Sequence, residues 1–316
     1  LSPKWLLLAL TWVAGILSAL LANDIICLAM TPILVEGCAH RKLNPVPFLL
    51  ALACASNIGS AATLIGNPQN MLVGQRLQLS FSGYLLDGLI PSGLGLMIAW
   101  GVIGWIYRGQ WNREFLIPEV EDAPQFNAWQ TSKGVTILTI LLIAFLFFPL
   151  PREVVALTAA GVLLANRRMA SRQMLGLVDW QILVLFIGLF IVNHALETSG
   201  LLAKGMNGIA ETGIDLHHPA WLFSITVLLS NLVSNVPAVM LLLPAATHPM
   251  AGPILALSST LAGNLILVGS IANLIVVDKS AQMGIRIGWK EHARVGIPVT
   301  VLTLIVAAVW LGLRIL

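Results

Sequence analysis

Four short polar stretches interrupt an apolar chain, and their residue types suit ion binding rather than bond breaking. The first is Asn23-Asp24. The second runs from Ser56-Asn57 to Gly66-Asn67-Pro68-Gln69-Asn70. The third is Ser234-Asn235. The fourth runs from Asn264 to Gly269-Ser270-Ile271-Ala272-Asn273. Asn and Ser offer neutral oxygens to a cation and N–H or O–H groups to an anion. Glycine supplies a turn, and proline suits the first turn of a restarting helix. A helix N-terminus adds unpaired N–H groups and partial positive charge, and unwound carbonyls add the opposite sign. The chain carries no G-x-S-x-G elbow, H-E-x-x-H motif or P-loop. An intramembrane enzyme is therefore a remote alternative, and a primary pump is disfavoured.

These stretches must be positioned by membrane helices. Of 316 residues, 58% are hydrophobic and 10% charged, against about 25% charged in a soluble domain. The apolar runs 84–107, 134–149, 180–196 and 295–313 span or nearly span a hydrocarbon core of roughly 30 Å. They are solidly apolar, without the alternation a membrane barrel needs. The fold class is all-α, polytopic and membrane-embedded.

Lys and Arg set the orientation, because cytoplasmic loops are enriched in them. If the polar-broken stretches 5–38 and 220–246 are re-entrant hairpins, thirteen of the 17 Lys and Arg face the inside and four the outside. If either stretch simply spanned, that bias would degrade. Arg167-Arg168 is then a topology signal and not a nucleic-acid patch.

The two halves read alike. Asn23 precedes Pro32 by nine residues, and Asn235 precedes Pro244 by nine. Each hairpin is followed by a broken helix carrying a Gly-(Asn/Ser)-x-x-Asn break, and then by a helix expected to open at Ile-Pro, Pro91 or Pro298. Residues 1–108 form the first repeat: hairpin 5–38, broken helix 46–74, helix 84–107. Residues 109–133 are a cytoplasmic linker, with an acidic loop over 114–122. Residues 134–316 form the second repeat: scaffold helices 134–197, hairpin 220–246, broken helix 253–277, helix 295–313. The first hairpin enters from inside and the second from outside, so the repeats are inverted. Such repeats place a binding site at the bilayer midplane, lined by the helix breaks. By repeat logic, N-terminal scaffold helices are expected upstream of Leu1.

At these residues the chain resembles the ion transporter superfamily, which includes divalent anion–sodium symporters, citrate permeases, arsenite permeases and one class of sodium/proton antiporters. Ser56–Asn70 is similar to the symporters' broken-helix motif, and Ser234-Asn235 to their Ser-Asn-Thr hairpin tip. Overall the chain is similar to bacterial inner-membrane anion permeases of the YbiR type. It departs from the symporters at both tips, which read Ala22-Asn23-Asp24 and Ser234-Asn235-Val236 and lack the Thr. An Asn-Asp tip resembles the arsenite permeases. The resemblance implies a homodimer in the bacterial inner membrane, a scaffold and an elevator-like transport domain. It implies secondary transport of a small anion or oxyanion. Arsenite or antimonite efflux and sodium/proton exchange are the alternatives.

The expected site comprises Asn23, Asp24, Ser56, Asn57, Gly66, Asn67, Pro68, Asn70, Ser234, Asn235, Asn264, Gly269, Ser270 and Asn273. Coupling is to sodium or to protons; sodium, where it is the coupling ion, would lie at Asn23, Asn67, Asn235 and Asn273, and no other cofactor or metal is expected. Asp24 carries either coupling or the N-cap of residues 25–38. An acid at a tip that only offered N–H groups to an anion would repel the cargo, so a bound cation or proton is expected there.

Overall fold

The computed structural model describes residues 2–112, 128–148, 150–164, 176, 180–201, 204, 205, 208, 211 and 213–316. The secondary structure of these residues is helical, joined by turns and loops, with one isolated bridge between Leu43 and Asn112. Thirteen α-helices follow in order among them. The first five are α1 (Pro3–Leu21), α2 (Asn23–His40), α3 (Pro45–Ser60), α4 (Pro68–Arg76) and α5 (Phe81–Ile106). Then come α6 (Ala128–Phe147), α7 (Arg152–Leu164) and α8 (Trp180–Thr198). The last five are α9 (Pro219–Val233), α10 (Asn235–Leu242), α11 (Ala251–Ala262), α12 (Ile271–Gln282) and α13 (Trp289–Ile315). By length and composition α1, α5, α6 and α13 can each cross a membrane.

The chain divides into two compact units, Leu1–Glu119 with Leu196–Leu316, and Val120–Ala195. In the smaller unit α6 lies against α7, and Lys133 Nζ donates to the Leu163 carbonyl (3.2 Å). Neither helix has a buried residue; apolar side chains such as Leu157 are open on the surface (73% exposed). Helix α6 begins six residues before the expected start at 134. The rest of the expected acidic linker, residues 113–127, lies outside the described residues.

In the larger unit α3 and α11 are the core, and every residue of both is buried. Each is apolar around most of its circumference, as a fully surrounded helix must be. Around them the halves repeat element by element. A helix pair broken at one residue (α1–α2, α9–α10) is followed by a buried helix, a loop and a short helix (α3–α4, α11–α12), then a long helix (α5, α13). The second arms differ in length. Helix α2 continues through Pro32 to His40, whereas α10 stops and Pro244 sits in a 3₁₀ turn.

The breaks at the two tips are alike. Ala22 has φ 68° and ψ 139°, and Ser234 has φ 77° and ψ 160°. This conformation belongs to glycine and costs about 1–3 kcal/mol at other residues. It turns the chain sharply enough for one helix to end and the next to begin with no intervening loop. Ala22, and not Asp24, is the N-cap of α2, without a side-chain hydrogen bond. Asp24 lies inside the first turn, where its charge complements the helix dipole.

Helices α5 and α13 do not open at Ile-Pro. Pro91 and Pro298 lie well inside them, tolerated because other groups can take the carbonyl a proline leaves free. Before each proline a glycine lets the helix reach the broken-helix loop. A Cβ on Gly88 would sit 2.8 Å from the Ala61 carbonyl oxygen, and one on Gly296 would run into the Asn264 carbonyl. Gly296→Ala is therefore expected to cost about 1–3 kcal/mol through forced backbone movement, read as a lower melting temperature. Gly93→Ala, with nothing within 4 Å, serves as the control. It should be neutral or stabilising by up to about 1 kcal/mol.

Candidate functional site

The loops that break α3–α4 and α11–α12 meet in a buried cluster of amides and hydroxyls. Both are built the same way, 203 residues apart. Asn67 caps α4 by accepting from Asn70 N (2.8 Å), and Ser270 caps α12 by accepting from Ala272 N (3.3 Å). Asn70 Nδ2 donates to the carbonyls of Ser60 (3.4 Å) and Thr63 (2.9 Å). Asn273 Nδ2 donates to the matching carbonyls of Gly263 (2.8 Å) and Ile266 (3.4 Å). Each Asn thus closes its own loop.

The two loops also hold each other. Thr260, on α11, donates to Asn70 Oδ1 (3.3 Å). Asn57, at the matching place on α3, donates to Asn273 Oδ1 (3.0 Å). Thr260 Oγ1 accepts from Asn67 (3.2 Å), and Asn57 Oδ1 accepts from Ser270 (2.8 Å). Asn57 additionally donates to Asn264 Oδ1 (2.8 Å) and accepts from Asn23 Nδ2 (3.0 Å). All four hydrogen-bonding positions of its amide are filled.

The long helices complete the frame. Tyr84 on α5 donates to the Ala61 carbonyl (2.8 Å) and receives Asn70 Nδ2 (3.1 Å). His292 on α13, at the matching place, donates through Nε2 to the Asn264 carbonyl (3.1 Å). Both are buried.

The tips arrive at the same loops. Asn23 N donates to the Gly66 carbonyl (3.1 Å). With its amide turned to donate, Asn235 Nδ2 reaches the carbonyls of Gly269 (3.2 Å) and Ser259 (3.1 Å). The Asn23 side-chain oxygen is buried and has no hydrogen-bond partner among the described residues. Asp24, the next residue in sequence, is half-buried in the first turn of α2.

The structure therefore brings Asn23, Asn57, Gly66, Asn67, Asn70, Asn235, Asn264, Gly269, Ser270 and Asn273 into one connected cluster. Pro68 sits at the first position of α4. Ser234 forms the second tip but makes no capping bond. Ser56 is set apart, since its hydroxyl faces Cys27 Sγ (2.9 Å) and the Ala53 carbonyl. Thr260, Ser60, Gln69, Tyr84 and His292 belong to the cluster and were not among the expected residues. Superposing the halves on Gly66 and Gly269 would have exposed Thr260 as the counterpart of Asn57.

Apart from the His292 imidazole, no basic side chain is hydrogen-bonded into this cluster among the described residues. Most of its side-chain donors are spent internally, which leaves helix N-termini for an anion and spare oxygens for a cation.

The sequence pattern of the citrate transporter family matches residues 1–255. A 46 kDa membrane protein of Mycobacterium leprae is 29% identical over 99% of this chain and 78% of its own length. A putative transporter arsB of Dictyostelium discoideum is 25% identical, covering 93% of this chain and 73% of itself. The silicon efflux transporter LSI3 of rice (Oryza sativa subsp. japonica) is 28% identical, covering 95% and 76%. With its apolar helices, the chain is a multi-pass membrane transporter. Citrate permeases are among the groups of the ion transporter superfamily that the broken-helix motifs resemble. The chain belongs to the citrate transporter family.

Proposed function

We propose that the chain is a secondary active transporter that moves a small anion or oxyanion, coupled to sodium or protons. The carrying observation is the buried, unpartnered Asn23 oxygen at the first tip, next to the Gly66 loop and Asp24. A buried acceptor without a protein donor is free to take a bound cation or an ordered water. A sodium ion there would take Asn23 Oδ1 and neighbouring carbonyls. Of the other expected sodium ligands, Asn67 and Asn273 have their oxygens engaged, on Asn70 N and Asn57 Nδ2. Each would have to release a bond to coordinate an ion.

In this reading α1–α2 and α9–α10 are re-entrant hairpins of two inverted repeats. The matched tips, loops and long helices support it. The cluster is the moving site of an elevator-like alternating-access cycle, because its cross-bonds tie both broken helices together. The apolar, unburied surfaces of α6 and α7 suit lipid and the second copy of a homodimer. The bacterial relatives suit residence in a bacterial inner membrane. Arsenite or antimonite efflux or sodium/proton exchange is the second reading. The names of the arsB and silicon efflux relatives favour it, and no Lys or Arg side chain is hydrogen-bonded into the cluster among the described residues to hold a polyanion.

The test is thermal unfolding of the purified full-length protein against citrate, arsenite and silicic acid, in sodium and in potassium. A ligand at a hundred times its dissociation constant stabilises by about 2.7 kcal/mol. Sodium-dependent stabilisation by citrate is the expected result. Stabilisation by arsenite or silicic acid alone would select the second reading. No response to any combination, with no flux in proteoliposomes, would reject both.

A further inference from the structure

Asp87 is a buried carboxylate (7% exposed) inside the apolar run of α5, and it is gripped twice by the end of α13. Arg314 Nε donates to its Oδ1 (3.0 Å), and Trp310 Nε1 donates to its backbone carbonyl (2.9 Å). That carbonyl is free for a reason written in the sequence. The residue four places on is Pro91, which has no N–H to return the helical bond. Trp310 and Arg314 are one turn apart on α13, so both reach the same residue.

Asp87 is not part of the repeated frame. Matching Tyr84 to His292 and Gly88 to Gly296 puts Asp87 opposite Val295 and Arg314 opposite Ile106. The matched residues do the same work in both halves; this pair exists in one. It stands where α5 meets the first loop. Tyr84, one turn earlier, holds Asn70 and the Ala61 carbonyl. Gly88, the next residue, is the point of closest approach to Ala61.

We propose that Asp87 is a positioning residue for the first half-site. Gripped by Trp310 and Arg314, it fixes the 84–88 segment of α5, and through Tyr84 it fixes Asn70 and the 61–67 loop. Among the described residues the second loop has no such brace. Any consequence for transport rests on the reading of this cluster as the cargo site; the bracing itself does not.

The test is backbone hydrogen exchange of the full-length protein, read by mass spectrometry over 61–70 and over the matched loop 263–273. Arg314→Gln leaves an unpaired buried carboxylate, the costly half of a broken pair. It should speed exchange over 61–70 by about tenfold while 263–273 stays within about twofold of the parent. Asp87→Asn with Arg314→Gln removes both charges and keeps the Trp310 bond, so exchange over 61–70 should return close to the parent. Trp310→Phe cuts only the carbonyl bond and should also loosen 61–70. It serves as the readout if Arg314→Gln does not fold. Equal loosening of both loops, or of neither, overturns the proposal. Loosening of 61–70 with unchanged sodium-dependent stabilisation would keep the brace and reject this loop as the ion site.

Discussion

Asn57→Leu is expected to remove several kcal/mol of stability, the largest loss of any single substitution in the cluster. Leucine matches asparagine roughly in volume and suits the buried α3, so the effect isolates hydrogen bonding from packing. It strands Asn23 Nδ2, Ser270 Oγ and the side-chain oxygens of Asn264 and Asn273, each of which bonds to Asn57. A buried group left without its partner costs about 1–3 kcal/mol. Four together come to at least about 4 kcal/mol, against a total margin of roughly 5–15 kcal/mol for a domain. Thr260→Val is the matched comparison and should cost about half as much, because it strands two groups, Asn70 Oδ1 and Gln69 Nε2, while Asn67 Nδ2 keeps its bond to Ser60. Thermal unfolding in detergent decides it. A melting temperature for Asn57→Leu within a few degrees of the parent would show that waters replace the lost partners.

Asp24→Asn should keep the fold and lose cation-driven accumulation altogether. The change is nearly isosteric, and Ala22 rather than Asp24 occupies the cap position. What disappears is the carboxylate of the residue next to Asn23, whose side-chain oxygen has no hydrogen-bond partner among the described residues. A one-unit pH gradient is worth about 1.4 kcal/mol per coupled proton, enough for tenfold accumulation of cargo. In proteoliposomes the parent should reach that ratio, or its sodium-driven equivalent, and Asp24→Asn should stop near unity. Exchange of cargo across the membrane without a gradient should survive. Accumulation by Asp24→Asn with unchanged pH and sodium dependence would make the carboxylate a dipole-complementing charge and move coupling to the neutral amides.

The repeated helix breaks were legible in the sequence because Gly, Pro and Asn are costly in the middle of an apolar helix. Finding them in the same order twice left little room for accident. The centre of the site was less legible. Asn57 lies in a regular helix, three residues from its end, and nothing local marks it as the hub. Its role comes from the crossing of α3 and α11, which sequence spacing does not contain. Asp87 was hidden by its surroundings, since a lone acid inside a spanning run barely changes the run's hydropathy. Pro91 and Pro298 were misread as helix starts. The missing N–H that suits proline to a first turn is equally acceptable mid-helix once another donor takes the orphaned carbonyl, as Trp310 does at Asp87. The strained tip at Ala22 had no signal, because alanine gives no warning of a glycine-like backbone.

The matching of the two halves has an energetic meaning for the proposed inverted arrangement. In such a transporter the outward-open and inward-open states arise when the halves exchange roles, so identical halves would make the two states degenerate. Each chemical difference lifts that degeneracy: Asn57 against Thr260, Asn67 against Ser270, Tyr84 against His292, Asp24 against Val236, Asp87 against Val295. A net difference of about 1.4 kcal/mol would hold the empty protein tenfold toward one side. Substitutions that make the halves more alike, such as Tyr84→His, would shift which side of the membrane the idle carrier faces.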